Sequence, residues 1–164
     1  MKAALDVHYR SGGASAACVA FRDWRDDTPV ERLRIKVPAA APYRAGRFYE
    51  RELPCLLAVL DKADRSFETV LIDGYVHLRP GAGKGLGTHL FESLSCRTRV
   101  IGVAKKPLRI ADRFVPVLRG RSRRPLYVSA IGCSLERAAH SISIMHGPHR
   151  IPTLLRIADH HARG

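Results

Sequence analysis

Leu33-Arg34-Ile35-Lys36-Val37 alternates apolar and basic residues with a period of two, the pattern of a strand half-buried on one face. Residues 2–9 predict a second strand and residues 14–21 its hairpin partner, because Ser11-Gly12-Gly13 between them is a turn signal. The three make an antiparallel meander. After a loop over residues 38–46, Leu53, Leu56, Leu57 and Leu60 recur at helical spacing and predict a helix to about Ala63, with Pro54 tolerated only in its first turn. Thr69-Val70-Leu71-Ile72 is a continuous apolar run of the kind buried on both faces of a sheet, and it ends at Asp73-Gly74. A glycine-rich loop, a helix near residues 85–95 and a second apolar run over residues 100–104 complete a β-α-β unit, whose strands pair in parallel through a right-handed crossover. Residues 105–124 read as a basic connector. Residues 126–130 predict another strand, 135–145 a helix, and 153–161 a last helix opened by Pro152.

A meander, a helix and then parallel β-α-β units on one sheet is the order of a ribonuclease H-like α/β domain. The expectation is a mixed sheet of three antiparallel strands followed by parallel strands, with helices on both faces and residues 1–164 forming one domain. No stretch approaches the roughly 18–20 apolar residues of a membrane span, and the start, Met1-Lys2-Ala3-Ala4-Leu5-Asp6, breaks too early for a signal peptide. A soluble, cytoplasmic protein is expected. Cys18, Cys55, Cys96 and Cys133 fall singly inside apolar runs with no CxxC pair, so they are read as small buried hydrophobes.

Charge changes this picture. The chain carries 28 Lys and Arg against 15 Asp and Glu, for a formal charge of +13. Residues 1–73 hold 12 basic and 11 acidic residues, whereas residues 74–164 hold 16 and 4. Solubility asks for a net charge of only about 2–8 in a small domain, so the second half reads as a polyanion-binding surface. Its densest cluster is Arg119, Arg121, Arg123 and Arg124, beside Lys105, Lys106, Arg109 and Arg113.

Against that background four acids stand where packing alone would not put them. Asp6 lies in the first strand between Leu5 and Val7, and Asp73 ends a strand buried on both faces. If those strands are neighbours, the two acids converge at one end of the sheet. Glu52 precedes Leu56 by four residues and Leu60 by eight, which points it along the apolar stripe of its helix. Asp159 lies in the last helix, near Leu155 and Ala158. Clustered carboxylates repel and hold protons at neutral pH unless a cation sits among them, so the cluster suggests Mg²⁺ or Mn²⁺. Taken singly, each acid could equally be a cap or a surface ion pair.

At this point the residues resemble the endonuclease V family, metal-dependent nucleases acting on deaminated nucleic acid. The likeness runs through Asp6-Val7, Pro42-Tyr43 with Gly46, Arg51-Glu52 before Pro54, Ile72-Asp73-Gly74, residues 101–105 (Ile-Gly-Val-Ala-Lys), residues 125–129 (Pro-Leu-Tyr-Val-Ser) and Arg150-Ile151-Pro152. The resemblance implies a metal site of Asp6, Glu52, Asp73 and Asp159, and two-metal hydrolysis of the second phosphodiester 3′ to an inosine in DNA or RNA by a monomer. It further implies that Lys105 steadies the reacting phosphate, that Tyr43 wedges into the space of an extruded base, and that Gly46 and Gly74 let backbone approach that base. His77, Arg79 and His89 match the family's loop after the second acid, and Lys84 and Arg121 join Pro42 as expected nucleic-acid contacts. Against the family's pattern the expectation is a short form, with Asp6 close behind Met1 where the family has an N-terminal helical extension, a short segment over residues 105–124 and a different loop after Asp73. From the residues alone, Tyr43 could as well be an ordinary surface aromatic.

Other signals carry less. Gly81-Ala82-Gly83-Lys84-Gly85 lacks the Ser/Thr and the first Gly of a nucleotide-binding phosphate loop. The eight histidines have no companion Cys ligands for zinc, and His8 shares the face of Asp6 only by strand alternation. Alternative functions are a nucleic-acid binder whose cleavage has lapsed, and a nuclease of the same fold that reads DNA structure instead of a damaged base.

Overall fold

The computed structural model describes residues 1–38, 42, 44–45 and 47–164. Tyr43 and Gly46, the expected wedge and its glycine, lie outside the described residues. The meander consists of β1 (Lys2–Arg10), β2 (Gly13–Phe21) and β3 (Glu31–Pro38). Then come α1 (Phe48–Lys62), β4 (Thr69–Ile72), β5 (His77–Leu78), α2 (Leu86–Ser93) and β6 (Arg99–Ala104). The chain closes with β7 (Ala111–Asp112), β8 (Phe114–Val117), β9 (Leu126–Ile131), α3 (Leu135–Ile144) and α4 (Thr153–Arg163). Seven strands form one mixed sheet in the order β3-β2-β1-β4-β6-β9-β8, and β5 pairs with β7 in a separate ribbon.

The β1–β2 hairpin turns through Ser11-Gly12, and Arg10 pairs with Gly13. β4 runs parallel to both β1 and β6, with Ile72 opposite Gly102. Two expectations are corrected on the far side of β6. β9 pairs with β6 antiparallel, so the parallel part of the sheet is only β1, β4 and β6. Residues 105–124 are more than a connector: they supply β7 and β8, and β8 pairs antiparallel with β9. β8 is an edge strand and carries an exposed proline, Pro116.

Helices cover both faces. Leu56 and Val59 of α1 and Leu90 of α2 bury against Leu5, Val70 and Val100 on one side. Ile142 of α3 and Leu154 and Ala158 of α4 bury against Ala4, Val19 and Leu71 on the other. α1 starts at Phe48, ahead of the leucine run, so Pro54 lies in its second turn. Pro54 is exposed there, and the Glu50 carbonyl deprived of a donor sits on the wet side of the helix. Cys18 and Cys55 are buried as expected, but Cys96 is exposed in the turn after α2.

Candidate active site

The C-terminal ends of the parallel strands bring the acids together. β1 alternation sends Leu5 and Tyr9 toward α1 and Asp6 toward α4. Asp73 follows the last residue of β4, and Lys105 follows the last residue of β6, so their side chains meet: Lys105 Nζ donates to Asp73 Oδ2 at 2.7 Å. Gly102 on β6 leaves room for the chain that follows Asp73. A Cβ there would stand 2.4 Å from the Gly74 carbonyl oxygen and 2.7 Å from Ser129 Oγ, and that hydroxyl accepts the Val76 N–H at 3.0 Å. Gly74 itself holds a φ of 151°, which suits a residue without a Cβ.

Glu52 arrives from the other face. It is 5% exposed, and Tyr9 Oη donates to its Oε2 at 2.6 Å. The Arg51 guanidinium lies 3.5 Å over the Tyr9 ring. Burial pushes Glu52 up to about 7; the Tyr9 hydrogen bond works against that shift, and the charges of Asp6 and Asp73 add to it. Burial likewise pushes Asp6 up to about 7, reinforced by Asp73, while Lys105 pulls the other way. Asp159 is held below the usual carboxylate range by Arg163, whose Nε and Nη2 donate to its two oxygens at 3.0 and 2.9 Å. Burial alone would lower the Lys105 pKa, but Asp73, Asp6 and Asp159 outweigh it and keep the ammonium charged.

The donor set fits a hard divalent cation. All four candidate donors are carboxylates, the hard oxygen ligands such an ion takes, and the two most buried, Asp6 and Glu52, are raised toward neutrality first by burial and then by the charge of neighbouring acids, a cost that a bound cation would offset. Among the described residues, no three acids, histidines or cysteines stand close enough to form one coordination shell. Instead each acid outside Asp6 has a partner from the chain: Lys105 on Asp73, Tyr9 on Glu52 and Arg163 on Asp159.

Beside the acids opens a cavity of about 550 Å³ with walls from Phe48, Tyr49, Tyr75, Leu86, Leu108 and Ile110, reached by Asp73, Gly74, Lys84 and Lys105. Phe48, Leu108 and Ile110 are exposed around it. A second, narrow space of about 20 Å³ lies between Asp6, Asp73, Lys105 and Leu155.

The remaining expected residues scatter. Pro42 and Arg79 are exposed. His77 donates its Nε2 hydrogen to the Ala130 carbonyl at 3.1 Å, and Lys84 is paired with Glu92 at 2.8 Å. His89 stacks on Tyr49 with ring centroids 3.8 Å apart. Arg121 is exposed, but its cluster is smaller than the sequence suggested, because Arg119 turns inward. Arg119 donates to the carbonyls of Met145, Gly147, His149 and Arg150, and so ties down the loop before α4. Net charge does not distinguish such a buried clamp from a surface cation. Sequence reasoning also missed Tyr9, Arg163 and Arg150, which donates to the carbonyls of Lys105 and Pro125. Arg150-Ile151-Pro152 was the one signal that pointed to this arginine.

The chain matches the family model described as Endonuclease V over residues 1–160. This chain belongs to the endonuclease V family. The family places it among nucleases, which hydrolyse phosphodiester bonds. The endonuclease V of Alkalilimnicola ehrlichii is 30% identical over 175 residues, covering 96% of this chain and 77% of that protein. The human endonuclease V structure superposes with a TM-score of 0.79 at 26% identity, covering 99% of this chain and 82% of that one. The Ciona intestinalis endonuclease V shares the fold at a TM-score of 0.81 and 23% identity, covering 99% of this chain and 84% of that one; it was solved with a 24mer DNA containing an inosine followed by a ribo-adenosine. The mixed sheet with helices on both faces is the ribonuclease H-like architecture of these endonuclease V structures.

Proposed function

We propose that this chain is a metal-dependent endonuclease that hydrolyses the second phosphodiester 3′ to inosine in DNA or RNA. The observation that carries this reading is that Asp73 and Lys105 border both spaces: the cavity and the acid cluster share them as a common wall. A base drawn into the cavity would bring its backbone to the acids, and the resemblance supplies the 3′ direction. The cavity is within the usual size range of ligand pockets, and its aromatic and aliphatic walls suit a flat base taken out of its stack. Tyr43 keeps the role of wedge that the resemblance implies, with Gly46 and Gly74 allowing close backbone approach.

Asp6, Glu52, Asp73 and Asp159 would hold Mg²⁺ or Mn²⁺. Bound there, a pair of such ions supplies activation of water on one side of the phosphodiester and charge stabilisation of the leaving oxygen on the other. The chain's own groups do the rest. Lys105 brings a fixed positive charge to the phosphate, next to Asp73. Tyr9 orients one oxygen of Glu52, and the two bonds from Arg163 fix the rotamer of Asp159. Arg150 holds the backbone of Lys105 in place.

The test is a gel assay on labelled inosine and control oligonucleotides, single- and double-stranded, DNA and RNA, with Mg²⁺, Mn²⁺ or EDTA. The expected result is a nick one nucleotide beyond inosine that needs the metal and disappears in Asp73→Asn. Metal-dependent cutting that ignores inosine would overturn the base specificity, and salt-sensitive binding without any cutting would leave a nucleic-acid binder as the function.

A further inference from the structure

β3 carries Arg32, Arg34 and Lys36 on one exposed face, while Leu33, Ile35 and Val37 pack into the core on the other. The sheet register fixes which face that is. Asp6 lies opposite Ala17, and Ala17 lies opposite Arg34; His8, Ser15 and Lys36 form the next row, and Ala4, Val19 and Arg32 the row before. Residues directly opposite across a sheet share a face, so the three cations stand on the side of the sheet that carries Asp6. Arg34 is two strand spacings from Asp6, about 10 Å across the sheet.

The end of α4 joins this strip. Arg34 Nη1 donates to the His161 carbonyl at 3.4 Å, and the guanidinium groups of Arg10 and Arg34 both come up against Gly164. None of Arg10, Arg32, Arg34 and Lys36 forms an ion pair with a described residue. The one acid on this part of α4, Asp159, is already neutralised by Arg163. Alternate side chains along a strand are about 6.7 Å apart, close to the spacing of successive phosphates along an extended polynucleotide.

We propose that Arg32, Arg34 and Lys36, with Arg10 at the end of the row, form a phosphate track that binds the backbone of single-stranded DNA running out of the acid cluster. This rests on the nuclease reading for what lies at the cluster, but the track itself is a matter of charge and register. Basic residues also protect an edge strand from pairing with other chains. Edge protection does not account for Arg10, which sits on an interior strand at the end of the same row.

The probe is a fluorescently labelled single-stranded DNA without inosine, titrated in EDTA at several NaCl concentrations and read by anisotropy. Each phosphate contact contributes about 0.7 to the slope of log affinity against log salt. The variant Arg32→Gln/Arg34→Gln/Lys36→Gln is expected to lower that slope by about 2. A charge-matched control at the opposite end of the sheet, Arg22→Gln/Lys62→Gln/Arg97→Gln, is expected to keep the wild-type slope. Equal slopes for the two variants, or a track variant that keeps the wild-type slope, overturn the track. If the triple variant melts early, Arg32→Gln and Lys36→Gln are measured singly, each with an expected drop of about 0.7. The inosine nicking assay run alongside keeps the two readings apart: a lowered slope without nicking removes the nuclease and keeps the track, and nicking with an unchanged slope does the reverse.

Discussion

At the scale of residues, Tyr9 is the least expected member of the site. Strand alternation places it opposite Asp6, facing α1, and it reaches the cluster only because Glu52 comes down from that helix to meet it. The Arg51 guanidinium packs over the face of its ring while the hydroxyl bonds Glu52. Tyr9→Phe keeps the ring and removes one hydrogen bond to a charged acceptor, the kind of contact worth about 1.5–3 kcal/mol. The expected outcome is a Mn²⁺ affinity weakened roughly tenfold or more by titration, together with a melting temperature lowered by several degrees, because buried Glu52 loses its only donor among the described residues. An unchanged affinity would show that Glu52 is positioned by its helix alone.

At the scale of elements, the central strands and the four helices among the described residues were legible because burial leaves a mark on periodicity, and the predicted segments fall on β1 to β4, β6, β9 and α1 to α4. Strand direction was not, since an apolar run reads the same both ways: nothing in residues 126–130 says that β9 opposes β6. β7 and β8 were hidden for a related reason, being short, interrupted by Pro116 and surrounded by basic residues that dominate the composition. The acids were visible because they interrupt apolar runs, whereas Tyr9, which pairs with Glu52, sits on another element and left no local pattern; Arg163, four residues after Asp159 on the same helix, was legible as an i,i+4 pair and was passed over. Two changes probe how these elements hold the site. Gly102→Ala drives a methyl into the Gly74 carbonyl and Ser129 hydroxyl, and is expected to destabilise by about 1–3 kcal/mol in urea unfolding. Arg119→Met leaves four loop carbonyls without their donor and is expected to cost about 3 kcal/mol or more in the same measurement, although no charge is lost from the surface.

At the scale of the whole molecule, the acid cluster is a liability to folding. Asp6 and Glu52 have pKa values near 7 when folded, against ordinary values of 3.8 and 4.5. Between those limits the folded chain binds more protons than the unfolded one, so stability falls as pH rises from about 4 through about 7, and the deficit persists above. In EDTA the melting temperature should therefore be lower at pH 8 than at pH 5.5. Adding Mg²⁺ at pH 8 should recover most of the difference, by binding the folded form alone. A melting temperature that rises with pH in EDTA would mean that the acids are already neutralised by their neighbours. No helix among the described residues is long and apolar enough to cross a membrane.

The far edge of the sheet has a consequence for the protein's life in concentrated solution. A proline is accommodated in an edge strand with its nitrogen turned outward, where any other residue would offer an N–H to a passing chain. Pro116 thus interrupts the row of donors that β8 would otherwise present, while β3 at the opposite edge is fenced by charge. Neither border of the sheet is a template for fibre growth. Pro116→Thr is expected to shorten the lag before thioflavin-positive aggregates form on prolonged incubation, without altering the strands within.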